Sequence, residues 1–336
     1  MSDSFTRRTL LQLAGASTLT AAMTGAVRAE GGALMPFIHR TQARDAMPAG
    51  ELPFANRTPV RCGQAALRVR DLDAMIAYYR SAIGLHVLEK SDDRAVMGVP
   101  GVPLLNLLSR PNAPIEHQTE AGLFHIAFLM PTRLDLALWL MHAAQKRIPL
   151  TGFADHSVSE AIYLDDPEGN GLEIYSDRPT NTWQWRDGAV TMGTHQLDLD
   201  NIVGLVRKEH APYAQAPDQL RIGHMHLRVG DIPSGRDFYE RTIGLASTRG
   251  QSPHSAFLAS GGYHHHLAIN IWRSEGAGAR SAESTGLDWF SLHVTQDELL
   301  AAQRERLSKE GAAVTNIESG IEVADPWGTT LRLVKV

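Results

Sequence analysis

The sequence predicts an α+β fold built from four βαβββ units, and three observations predict it. First, the chain repeats at an offset of 160: Gly63-Gln64-Ala65-Ala66-Leu67-Arg68-Val69-Arg70-Asp71 matches Gly223-His224-Met225-His226-Leu227-Arg228-Val229-Gly230-Asp231, and Tyr79 and Ile83-Gly84-Leu85 match Tyr239 and Ile243-Gly244-Leu245. Second, each copy reads as an alternating strand, an Asp, an amphipathic helix ending at a glycine, then short β-rich runs at 102–109 and 265–272. Third, each copy is followed by a further unit, with strands at 123–130 and 288–295, helical patterns at 135–147 and 297–310, and the turns Asp166-Pro167-Glu168-Gly169 and Asp325-Pro326-Trp327-Gly328. Strands and helices in this order do not suit a doubly wound parallel sheet.

Composition bounds the function. The 336 residues are enough for about two domains of roughly 150 residues each. With 32 basic against 37 acidic side chains, the chain lacks the basic excess that a nucleic-acid surface needs. A single cysteine, Cys62, leaves neither an internal disulfide nor a cysteine metal cluster. Fifteen histidines are many, and without thiolates they are the natural ligands for a transition metal.

Taken in order, residues 1–29 read as a targeting segment. Phe5-Thr6-Arg7-Arg8-Thr9-Leu10-Leu11 resembles a twin-arginine export signal, which implies export of a folded protein to the periplasm. Gly15, Gly25 and many Ser and Thr residues make the run poor for spanning a bilayer, so no membrane association is expected after removal. Residues 30–58 form an irregular lead-in. Residues 59–178 and 221–336 are two domains of two units each, and 179–220 is a linker in which Trp183 and Trp185 suggest some packing.

The strand Ile222 to Leu227, the helix ending Phe238-Tyr239-Glu240-Arg241-Thr242-Ile243-Gly244-Leu245, the run Gly261-Gly262-Tyr263-His264-His265-His266 and the segment from Asp165 to Tyr175 resemble the vicinal oxygen chelate superfamily, within it the two-domain catechol-2,3-dioxygenase-like branch. The resemblance covers nearly all of residues 60–336. It implies two barrels of two units each, and a site to which one unit gives a first-strand His and a catalytic His, while its partner gives a His and a Glu. Carried over unit by unit, the ligands are His224 from the third unit and His125 and Glu173 from the second. Gln64 replaces the His of the first unit, and Trp289 and Arg332 replace the ligands of the fourth. Because the surviving set straddles both halves, units two and three are inferred to share a barrel, or else the ligands meet between two copies of the chain in a homo-oligomer.

Two histidines and a carboxylate with open positions favour Fe(2+), with Mn(2+) as the usual substitute. The resemblance further implies His265 as acid and base, and Tyr163 and His156 as contacts to the substrate. Each residue has a plainer role available: a lone His or Tyr on an apolar strand is usually core, and Glu173 could be buried against an arginine. If 264–266 form a strand, alternation puts His265 on the opposite face from His264 and His266, and His226 shares a face with His224. The expected activity is extradiol cleavage of a catecholic small molecule by O2. A metal-dependent lyase or isomerase and a non-catalytic binding or resistance protein are the alternatives.

Overall fold

The computed structural model describes residues 51–336. The export signal and most of the lead-in lie outside the described residues. The four units contain, in order, β1 (Val60–Val69), β2 (His86–Lys90), β3 (Arg94–Val99) and β4 (Val102–Ser109); β5 (Gly122–Leu129), β6 (Gly152–Asp155), β7 (Ser159–Asp165) and β8 (Gly171–Asp177); after a linker ribbon, β9 (Trp185–Arg186) and β10 (Ala189–Val190), β11 (Arg221–Arg228), β12 (Ala246–Ser247), β13 (Ser255–Ala259) and β14 (Leu267–Asn270); and β15 (Gly286–Val294), β16 (Val314–Ile317), β17 (Gly320–Ala324) and β18 (Thr330–Lys335).

Two mixed eight-stranded sheets result, ordered β16-β17-β18-β15-β1-β4-β3-β2 and β12-β13-β14-β11-β5-β8-β7-β6. The first unit therefore pairs with the fourth through β1 and β15, and the second with the third through β5 and β11, both antiparallel. The halves at 59–178 and 221–336 describe the repeat, but each sheet draws on both. Among the described residues no helix is long and apolar enough to cross a membrane.

Local chemistry explains the repeated motifs. Asp71 and Asp231 lie just beyond β1 and β11 and cap the helices that follow, accepting the amide protons of Ala74 and Ser234. Each helix runs into a single wide turn, and Gly84 and Gly244 close it at φ 83° and 88°, where a side chain would be strained. In the two Asp-Pro turns, Asp166 and Asp325 accept backbone protons with one oxygen, while the other accepts the buried hydroxyls of Tyr79 at 2.9 Å and Tyr239 at 2.8 Å. Each Tyr–Asp bond joins the two units of one half, and so ties one sheet to the other. Glu116 adds a second tie, pairing with Arg228 at 2.6 Å and Arg280 at 2.5 Å with all three side chains buried.

One face of each sheet packs on the helices, through residues such as Ile126, Phe128, Leu172, Ile174, Met225 and Leu227 in the second sheet. The opposite, concave face of that sheet carries Ala127, Leu129, Ala161, Tyr175, Ala259 and Tyr263, and the linker covers it with Trp183 and Val190. Residues 51–58 of the lead-in pack against this sheet: Asn56 donates to the Ile222 carbonyl at 3.2 Å. One expectation needs correcting. His264, His265 and His266 do not form a strand; they lie in the turn segment just before β14, where His266 still donates a backbone bond to Leu258.

Candidate metal centre

Three adjacent strands, β11, β5 and β8, build the centre. On the middle strand, Ala127 faces His224 on one side and Glu173 on the other, and His125 lies two residues back on the same face. Alternation thus turns all three side chains to the concave side. The ladder slips between Ile222 and His224, at Gly223, and this bulge re-aims the start of β11. Gly223 is required there: a Cβ would stand 1.8 Å from the Tyr175 hydroxyl oxygen.

His125 Nε2 lies 3.0 Å from Glu173 Oε2, His224 Nε2 lies 3.3 Å from the same oxygen, and the two imidazole nitrogens are 3.2 Å apart. All three residues are buried. One acceptor oxygen facing two nitrogens that also face each other is poor hydrogen bonding, but it suits a cation. On one face of an octahedron with bonds of about 2.1 Å, donors sit about 3.0 Å apart, close to the spacing found. The donor set, two imidazoles and one carboxylate, is that of a divalent transition metal. Burial works to raise the Glu173 carboxyl, yet His224 and His125 carry it well below the usual range, so it is an anion ready to ligate. Burial draws His224 down to about 4 against the pull of Glu173, leaving a neutral imidazole.

The other predicted residues gather round this centre. Tyr163, on β7, has its ring 5.7 Å from that of His125 and its hydroxyl 2.7 Å from His156 Nε2. His156 Nδ1 lies 2.7 Å from the Gly193 carbonyl. A carbonyl only accepts, so Nδ1 carries the proton of a neutral His156, Nε2 accepts, and Tyr163 donates to it. Burial, with Glu173 nearby, holds the Tyr163 hydroxyl well above its ordinary pKa, so it stays a phenol. The His265 ring lies 4.1 Å from that of His224, and burial together with His224 and the neighbouring imidazoles keeps it neutral. His226 shares the site, 4.8 Å from His125, and is held by the Asn270 amide at 2.9 Å.

Sequence reasoning missed several participants. Gly193 belongs to the linker, and no local pattern marks a carbonyl that will orient a histidine 37 residues away. Phe124, with its ring 4.7 Å from His226, and Trp272, 46% exposed and 5.2 Å from Phe124, form an aromatic rim. Phe124 is next to His125 in the alternating strand, and that adjacency was the available signal.

The first sheet gives the contrast. Its register places Trp289 and Arg332 where the second has His125 and Glu173, since Trp289 follows Gly286 as His125 follows Gly122, and Arg332 pairs with Ser291 as Glu173 pairs with Ala127. The Arg332 guanidinium stacks on the Trp289 ring at 3.9 Å and pairs with Glu322 at 2.7 Å, while Gln64 accepts a bond from Asn106 at 2.9 Å. These positions are filled, not ligating.

Paired βαβββ units, one pair of which gathers a candidate set of metal ligands, define a protein of the two-barrel α+β type. The family model described as Glyoxalase/Bleomycin resistance protein/Dioxygenase superfamily matches residues 61–174 and 221–333, and the chain belongs to that superfamily. It is 34% identical over 268 residues to a catechol-2,3-dioxygenase of Bacillus subtilis (strain 168), covering 79% of this chain and 93% of that protein. It is 28% identical over 129 residues to biphenyl-2,3-diol 1,2-dioxygenase 3 of Rhodococcus globerulus, covering 35% of this chain and 63% of that one. Among solved structures, glyoxalase I from Zea mays matches with a TM-score of 0.52 at 16% identity, covering 84% of this chain and 94% of the other, a likeness of fold.

Proposed function

We propose that the chain is an extradiol dioxygenase that uses Fe(2+), held by His125, Glu173 and His224, to cleave the ring of a catecholic diol with O2. The observation that carries this reading is the company the donor set keeps: a neutral histidine, His265, on one side and a hydrogen-bonded phenol, Tyr163 with His156, on the other. The relative from Bacillus subtilis, whose name gives the same activity, supports it. Mn(2+) fits the same donors.

A bound ferrous ion supplies Lewis acidity toward the diol hydroxyls and redox chemistry toward O2. The protein supplies the rest. His265, neutral because it is buried, is placed to take a proton from the diol and return it later as an acid. Tyr163 gives its own proton to His156, which leaves its oxygen free to accept from a substrate hydroxyl and fix the ring's orientation. Phe124 and Trp272 offer the aromatic ring faces and edges to stack against. An isomerase of the glyoxalase kind would be served by a second carboxylate at the metal, and the donor group among the described residues contains one.

The test is anaerobic loading of the full chain with ferrous iron, then a catechol panel followed by oxygen uptake and the yellow ring-opened product. Uptake matched to ring opening supports the reading; metal binding without uptake on any diol would reject it. We further propose that the chain is exported by the twin-arginine route, which fractionation of cells carrying an Arg7→Lys, Arg8→Lys variant would check.

A further inference from the structure

We infer that Asp177 and His264 are positioning residues that fix which nitrogen of His265 carries its proton. This inference rests on the proposed role of His265 as the base at the metal centre.

Strand β8 carries Glu173, Tyr175 and Asp177 at alternate positions, so the strand that ligates the metal also presents a second carboxylate to the concave face four residues on. Asp177 Oδ1 lies 2.8 Å from His264 Nε2. The His264 Nδ1 atom lies 2.7 Å from His265 Nδ1. The His264 side chain has no solvent exposure, and Tyr263 and Trp183 pack on its ring with centroids 4.0 and 5.1 Å away.

These contacts admit one consistent assignment of protons for neutral rings. A carboxylate only accepts, so His264 carries its proton on Nε2 and donates it to Asp177. Its Nδ1 is then a lone pair, and the atom 2.7 Å away must be the donor. His265 is therefore protonated on Nδ1, and its Nε2 is left as the acceptor. Without the carboxylate, nothing would choose between the two neutral forms of His265, and the form with a protonated Nε2 cannot act as a base through that atom. Asp177 is more than packing: Oδ1 takes bonds from His264 and, at 3.2 Å, from Tyr263, whereas Oδ2 is buried with no hydrogen-bond partner among the described residues. A buried oxygen left unpaired costs stability.

The full chain, labelled with nitrogen-15 histidine and loaded with zinc to stay diamagnetic, gives a direct reading from two-bond proton–nitrogen correlations, with peaks assigned by their loss in His264→Gln and His265→Gln. The expected pattern is a proton on Nε2 of His264 and on Nδ1 of His265. In Asp177→Asn, the His265 pattern is expected to become mixed or inverted. The iron-loaded variant should lose at least 10-fold in kcat with KM within about twofold and metal content unchanged, and Asp177→Glu should recover part of the loss. Tyr263→Phe, which removes the other bond to Asp177 and leaves the chain of imidazoles, should keep kcat within about threefold. A wild-type protein with His265 protonated on Nε2, or an Asp177→Asn variant unchanged in both pattern and kcat, overturns the inference. If Asp177→Asn does not fold, the wild-type spectrum alone decides. The spectrum is read without substrate, so absence of catechol turnover would reject the proposed activity and leave the proton assignment standing.

Discussion

The guanidinium of Arg332 stacks 3.9 Å from the centre of the Trp289 ring, at the two positions of the first sheet that correspond to Glu173 and His125 in the second. A cation and an aromatic face replace an anion and an imidazole, and the space a metal would need is occupied by a contact worth roughly 0.5 to 2 kcal/mol. Among the described residues, one barrel therefore holds the candidate ligand set and the other has its matching positions filled.

The chain is accordingly expected to bind one equivalent of divalent metal. Elemental analysis should give about one metal per chain for the wild type and for Arg332→Ala, whose loss should appear only in stability, by about 1 kcal/mol. Glu173→Gln should lose both bound metal and turnover; an unaffected rate would count against the assigned ligands.

Ala127 tests the geometry without altering a ligand. It lies between His224 and Glu173 in the ladder and is fully buried. Ala127→Leu should push a side chain into the space where the donors meet and reduce metal affinity by more than 10-fold. Ala127→Gly should bind metal nearly normally. Isothermal titration with manganese reads both.

Tyr163 and His156 share one hydrogen bond, so their substitutions should not add. Tyr163→Phe and His156→Gln are each expected to lower kcat by about 10²-fold or more, with little change in metal content. The double variant should cost much less than the product of the two, because each single change already breaks the same pair. Full additivity in steady-state kinetics would separate their roles.

His266 gives the protein an acid-sensitive joint. Its Nε2 donates to the Ala55 carbonyl at 2.9 Å and its Nδ1 accepts from the Ser260 amide at 3.3 Å, so the buried ring is neutral and fully used. Burial lowers its pKa from 6.5 to about 3. The unfolded chain takes up the proton first, so this contribution is intact above about pH 6.5 and is lost as pH falls toward 3. Thermal denaturation between pH 7 and 4 should show Tm falling more steeply for the wild type than for His266→Gln.

The candidate ligand set was legible through the family resemblance, carried over unit by unit along a repeat whose offset and alternation are one-dimensional signals. Comparing the first strands at an offset of 160 put His224 opposite Gln64, and alternation put Glu173 between the outward-packed Leu172 and Ile174. The straddling of the set across both halves further implied the exchange of units that the sheet order displays. What the sequence hid was contact through space. The strand expected at 264–266 is a turn leading into β14: the His266 backbone keeps its bonds to Leu258 and Met225, while the rings of His264 and His266 are held by Asp177, Thr58 and Ala55. Gly193 and Trp183 belong to a linker without periodicity, and only folding brings them over the site. Asp177 follows a recognised motif by two residues, and its significance depends on His264, 87 positions away.

The first strand finds its antiparallel neighbour at the far end of the chain, with Val60 opposite Val294. During synthesis, β1 leaves the ribosome with one edge bare and waits for more than 200 residues before its partner emerges. The candidate metal set closes earlier: a nascent chain holds two of the three donors once Glu173 is out and all three once His224 follows. A donor set completed while β15 is still unmade is thus independent of the late pairing that finishes the other sheet.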